Sequence, residues 1–141
     1  MLRVKKIDRV WFWAVLAILW MGVIYALSDR PAGYYDDAND VVAWLPFASS
    51  VVHVGLYFVL SSFVLRFLIL LRTVEEGLIA YSTIFVALVY GILDEIHQSN
   101  VDGRASEMID VVADVFGAVL IVVFWFFLKR YRAKFDDKSG K

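Results

Sequence analysis

The residues able to do chemistry in this 141-residue chain fall into two stretches. Asp94, Glu95, His97 and Gln98 stand together, followed by Arg104 and then by Glu107, Asp110 and Asp114. Upstream, His53 and Tyr57 are four residues apart. A helix turns about 100° per residue, so positions 107, 110 and 114 fall at about 0°, −60° and −20° and form one acidic stripe that continues to Gly117. By the same rule His53 and Tyr57 share a face with Ser50 and Ser61. Asp94, Glu95, Asp110 and Asp114 offer hard oxygen ligands for a divalent cation such as Mg²⁺ or Mn²⁺. Arg104 offers a planar fork for a phosphate, and His53 or His97 can serve as general acid or base. Gln98 and Tyr57 add hydrogen-bonding groups for a bound ligand. Asp94, Glu95, His53, Arg104 and Asp110 are therefore the candidate reactive set, with His97, Gln98, Tyr57, Arg104 and Asp114 as candidate ligand contacts. The chain has no cysteine, which excludes thiolate nucleophiles, disulfides and cysteine metal ligands.

The elements that must position these groups are set by composition. Hydrophobic residues make up 61% of the chain and aromatic residues 16%, against about 45–50% apolar in an ordinary soluble domain. The apolar residues lie in four long blocks, about 10–27, 50–71, 77–93 and 108–128, each near the ~20 residues that cross a bilayer. The expected fold is an all-α four-transmembrane-helix bundle. Four spans leave only short loops and tails, so residues 1–141 are read as a single integral membrane domain. A cleaved signal peptide is the competing reading of the first block, but that block exceeds the usual 7–15 apolar residues of such a peptide. The aromatic run Phe124 to Phe127 reads as a lipid-facing girdle. Gly22, Gly55, Gly91 and Gly117 permit close helix approach without forming a GxxxG motif, and the oligomeric state stays open. No repeat, low-complexity segment or nucleic-acid signature is present.

Positive residues resist translocation and collect on the cytoplasmic side. Arg3, Lys5, Lys6 and Arg9 precede the first span, Arg66 and Arg72 flank the loop between spans two and three, and six Lys or Arg residues follow span four. The other two loops hold only Arg30 and Arg104. Both termini are expected to be cytoplasmic, with the polar cluster near the outer face. Segment 28–49, which is acidic and carries Trp44, Pro46 and Phe47, is expected to lie in the interface as a short helix or re-entrant turn.

An ionised side chain near the bilayer centre costs about 2.5–3.5 kcal/mol even on the lenient scale, so intramembrane carboxylates call for a reason. Glu107 and Asp110 also have a structural reading, because acidic residues complement the N-terminal dipole of span four. Asp114 sits deeper, where an uncompensated charge must be paired or neutralised.

The stretch Tyr90 to Gln98, with Asp94-Glu95 and Gln98, followed by Gly103-Arg104 and then by Asp110 and Gly117, resembles the signature of the VanZ-like family. Leu27-Ser28 with Pro31, and His53 with Tyr57 and Leu60, add to the likeness, which covers about residues 10 to 128. Asp114 stands where that family usually carries asparagine, and Ser49-Ser50 where an Asp-Lys pair often stands. The family is named for a teicoplanin-resistance protein. The resemblance implies a multi-pass protein of the bacterial cytoplasmic membrane linked to glycopeptide susceptibility and the cell envelope. Two functions fit the residues: binding of an envelope lipid or amphiphilic glycopeptide in a polar cavity open to the outer face, or metal-assisted catalysis on a lipid-linked phosphate or pyrophosphate. An ion-coupled transporter is a third, which four spans satisfy only as an oligomer.

Overall fold

The computed structural model describes residues 2–31, 34, 48–104 and 106–139. Four helices account for nearly all of them, and no strand occurs among the described residues. They are α1 (Leu2–Ser28), α2 (Ala48–Leu71), α3 (Glu76–Gln98) and α4 (Met108–Ser139). Each contains a stretch long and apolar enough to cross a membrane: Val10–Ser28, Ser49–Leu71, Glu76–Gln98 and Met108–Phe135. The expected re-entrant turn lies largely outside the described residues.

The four apolar blocks became four helices because each carries an uninterrupted run that can satisfy its own backbone in lipid. Several boundaries lie outside the expected blocks: α1 begins at Leu2, and α3 and α4 run on at their C-terminal ends. The third block was read as ending at Leu93, yet α3 continues to Gln98. Its polar residues extend the helix because Asp94, Glu95 and Gln98 are buried against other helices rather than turned to lipid. Helix α4 passes 128 and carries Lys129, Arg130, Arg132 and Lys134 on its last turns.

Helix α2 is central, packing along α1, α3 and α4, with α4 its most extensive partner. The shared core is built from Ala17, Ile24, Tyr57, Leu60, Val64, Ala87 and Ala118. Helix pairs are also tied by side chains that donate to backbone carbonyls of a neighbour. Trp20 Nε1 donates to Leu56 O at 2.9 Å, and Tyr90 Oη to Met21 O at 2.6 Å. Ile18, Leu93, Ile96, Val123 and Phe127 are exposed, while Thr83, His53, Asp94, Glu95, Asp110 and Asp114 are buried. This apolar exterior around a polar interior is the arrangement of a multi-pass membrane protein, since lipid takes the place of water outside.

At one end of the bundle, Lys129 of α4 pairs with Glu76 of α3, and the Arg66 guanidinium lies 6.0 Å from the Trp13 ring centre. The candidate residues gather at the other end.

Candidate functional site

The site begins with a close helix contact. A Cβ added to Gly117 on α4 would lie 2.5 Å from Val54 O and 2.9 Å from Phe58 N, so the α2 backbone occupies the room that glycine leaves. This approach brings His53 of α2 against the acidic stripe of α4. His53 Nδ1 is 2.9 Å from Asp114 Oδ1, and its Nε2 is 3.7 Å from Asp110 Oδ2, beyond hydrogen-bond reach. Two carboxylates one helical turn apart thus bracket one imidazole. Ser50 Oγ donates to Asp110 Oδ1 at 2.8 Å, and Ser49 Oγ to Asp110 Oδ2 at 3.4 Å.

Helix α3 supplies the remaining wall. Glu95 Oε2 accepts the backbone N–H of Glu107 at 2.7 Å, so this carboxylate satisfies one of the free donors at the start of α4. The dipole-complementing role that Glu107 and Asp110 suggested in the sequence is thus also taken by Glu95, from another helix. Glu95 Oε1 is buried and has no hydrogen-bond partner among the described residues, and the same holds for Asp114 Oδ2, Tyr57 Oη and Ser61 Oγ. Tyr57 lies nearly parallel to His53, ring centres 6.4 Å apart. Asp94 belongs to an adjacent arm: Gln98 Nε2 donates to its Oδ2 at 3.0 Å and also reaches Ser28 Oγ on α1 at 3.3 Å.

The structure separates two candidates from this cluster. His97 turns to α1, stacking on Tyr25 at 4.3 Å with its Nε2 3.3 Å from Asp29 Oδ1. Arg104 is half-buried in the α3–α4 loop and forms no ion pair with a described carboxylate. The loop turns at Gly103, whose φ of 75° is a conformation glycine adopts without strain, and Arg104 N closes it on Val101 O. Glu107 is exposed.

His53, Glu95 and Asp110 each offer a ligand atom within 4.8 Å of the others, and all three are buried. Asp94 is engaged by Gln98, and Asp114 by His53, so the convergent group differs from the four carboxylates that the sequence suggested and includes a histidine. Ser49, Ser50, Ser28 and Gly91 were not among the candidate site residues. Ser50 carried a signal, lying three residues before His53 on the same helix face. Ser28 carried only its part in the family likeness, because its hydrogen bond with Gln98 depends on how α1 sits against α3.

The arrangement can hold a cation, orient an imidazole through one nitrogen, or accept hydrogen bonds from a polar ligand. No curated protein and no solved structure matches the chain. The family model described as VanZ/LLP1 matches residues 12–129, a range that contains the cluster from Ser28 to Asp114. The chain therefore belongs to the VanZ/LLP1 family.

Proposed function

We propose that this protein resides in the bacterial cytoplasmic membrane with the Asp110 end of its bundle facing outward, and that it binds an envelope lipid or an amphiphilic glycopeptide such as teicoplanin there. The carrying observation is the pair of buried carboxylate oxygens, Glu95 Oε1 and Asp114 Oδ2, that have no hydrogen-bond partner among the described residues. An acceptor left unsatisfied in the interior costs about 1–3 kcal/mol, more when charged, so the pair is better explained by a bound species than by stability. Ser49 and Glu107, both exposed, touch the cluster through Asp110 and Glu95 and would supply groups for a polar headgroup, joined by Arg104 from the same loop as Glu107, while the apolar helix faces would accommodate its chains. Family membership supports the envelope link, because the family's namesake is a teicoplanin-resistance protein.

A second reading, metal-assisted chemistry on a lipid-linked phosphate or pyrophosphate, is favoured by the convergence of His53, Glu95 and Asp110. There Arg104, without a described ion pair, would clamp the phosphate.

The test is teicoplanin susceptibility of a sensitive bacterium expressing the parent chain or Asp110→Asn, with membrane abundance measured in parallel. The parent should raise the inhibitory concentration several-fold and the variant should not, at equal abundance. Unchanged susceptibility with the parent, or full protection by the variant, would overturn the binding role. Release of phosphate from a polyprenyl phosphate by the purified parent, abolished in the variant, would instead select the second reading.

A further inference from the structure

We infer that His53, Glu95 and Asp110 form a site for one transition-metal dication of the Zn²⁺ or Mn²⁺ type, and that Asp114 orients the histidine for it. The inference rests on neither functional reading, because a metal at this place can act structurally as well as chemically. The donors come from three positions on three helices, α2, α3 and α4, and each side chain is more than nine-tenths buried.

The state of each donor argues for a ligand. Asp114 Oδ1 lies 2.9 Å from His53 Nδ1, and an ionised carboxylate there can only accept, so in the neutral ring the proton sits on Nδ1 and Nε2 keeps its lone pair for a metal. That nitrogen faces Asp110 at 3.7 Å and is not hydrogen-bonded to it. Glu95 is held through the Glu107 N–H on Oε2 and also interacts with the Ser106 side chain, while Oε1 is buried without a hydrogen-bond partner among the described residues. Asp110 is steadied at Oδ1 by Ser50. A carboxylate on the remote nitrogen of a metal-ligating histidine is the recurrent way of fixing its tautomer and raising its basicity. Asp114 stands in that position.

The donor chemistry selects the metal. Imidazole suits Zn²⁺ and its neighbours, whereas Mg²⁺ prefers oxygen ligands and retains its waters. Metal–donor distances of about 2.0–2.2 Å put donor atoms about 3.3 Å from one another, so atoms already within 4.8 Å need close in by no more than about 1.5 Å. A metal with three protein ligands keeps a position open for water or a ligand atom.

The experiment uses the full chain in detergent, stripped with a chelator and dialysed separately against Zn²⁺, Mn²⁺ and Mg²⁺. Bound metal is counted by elemental analysis, and melting is followed with and without each ion. About one Zn²⁺ or Mn²⁺ per chain, with a raised melting temperature and no such effect from Mg²⁺, is expected. Glu95→Gln and His53→Gln should lose the ion. Asp114→Asn, which keeps the side-chain shape, should weaken it about 10–100-fold. Glu76→Gln, at the opposite end of the bundle, should bind as the parent does. Sub-stoichiometric metal in the parent under every ion overturns the site. So does parental affinity in Glu95→Gln, and if His53→Gln fails to fold, Glu95→Gln and Asp114→Asn decide. Loss of metal with teicoplanin protection retained would leave the site standing and separate it from the binding role.

Discussion

Asp114 Oδ2 occupies the space that a side chain on Gly91 would need, since a Cβ at Gly91 would stand 2.5 Å from that oxygen. The α3 backbone is thus the wall that holds the carboxylate against His53. Gly91→Ala should push Asp114 off the imidazole and cost about 1–3 kcal/mol, the range for overpacking. The measurement is melting of Gly91→Ala in the parent and in an Asp114→Ala background. The alanine should be costly only where Asp114 is present, and equal costs in both backgrounds would refute the contact.

Gly117→Ala should be more damaging than Gly91→Ala. Its new methyl meets backbone atoms of Val54 and Phe58, which cannot rotate away as a carboxylate can, so α2 and α4 must separate. Gly22 and Gly55 have nothing within 4 Å, so alanine at either should not destabilise and, with its better helix propensity, should add up to about 1 kcal/mol. A uniform response at all four glycines would show that the close α2–α4 approach is not real.

This contrast marks how far the sequence could be read. All four glycines were candidates for close approach, and only the rotation of each helix about its axis separates the two that matter. The spans were legible because bilayer thickness sets the length of an apolar block. Asp110 and Asp114 were legible as one face of α4 because they are one turn apart, whereas Glu107, the third member of the expected stripe, precedes the helix and is exposed. The split within 94–98 was missed because the polar residues ending span three read as a single group. Once the helix runs to Gln98, positions 95 and 97 are about 200° apart, so Glu95 and His97 must face different neighbours. Which neighbours those are, α4 for Glu95 and α1 for His97, depends on tertiary packing alone.

Orientation rests on the basic residues of the tails and of the α2–α3 loop. A reporter fused after Lys141 should be active only in its cytoplasmic form. Activity of a periplasmic reporter at that position would place the cluster toward the cytoplasm instead.

Arg104 is expected to serve an anionic ligand, because no described carboxylate pairs with it. Arg104→Lys keeps the charge but loses the planar fork. Teicoplanin protection should fall about tenfold with lysine as with alanine. Protection retained by lysine and lost by alanine would mean that the residue acts by charge, without bidentate contact.

Tyr90→Phe removes the 2.6 Å bond to Met21 O that ties α3 to α1. Between membrane helices such bonds average about 0.6 kcal/mol. A melting decrease of one or two degrees, with metal content unchanged, is expected. Loss of metal in this variant would mean that α1 helps to shape the cluster.

His53 and Asp114, 61 residues apart in sequence, make contact only when the first and last of the cluster's three helices are both in place. During synthesis α2 leaves the ribosome well before α4, and His53 then has no carboxylate beside it. Asp110 and Asp114 stand near one end of α4, whose apolar run is the most hydrophobic of the four spans, so the helix can enter lipid while its two carboxylates still lack partners. Docking of α4, rather than its insertion, is therefore coupled to capture by the helices already there, with Gly117 allowing the backbones to meet. Weakening that capture would leave α4 inserted but undocked, and would show first as poor membrane accumulation during biogenesis, before any defect in the finished protein.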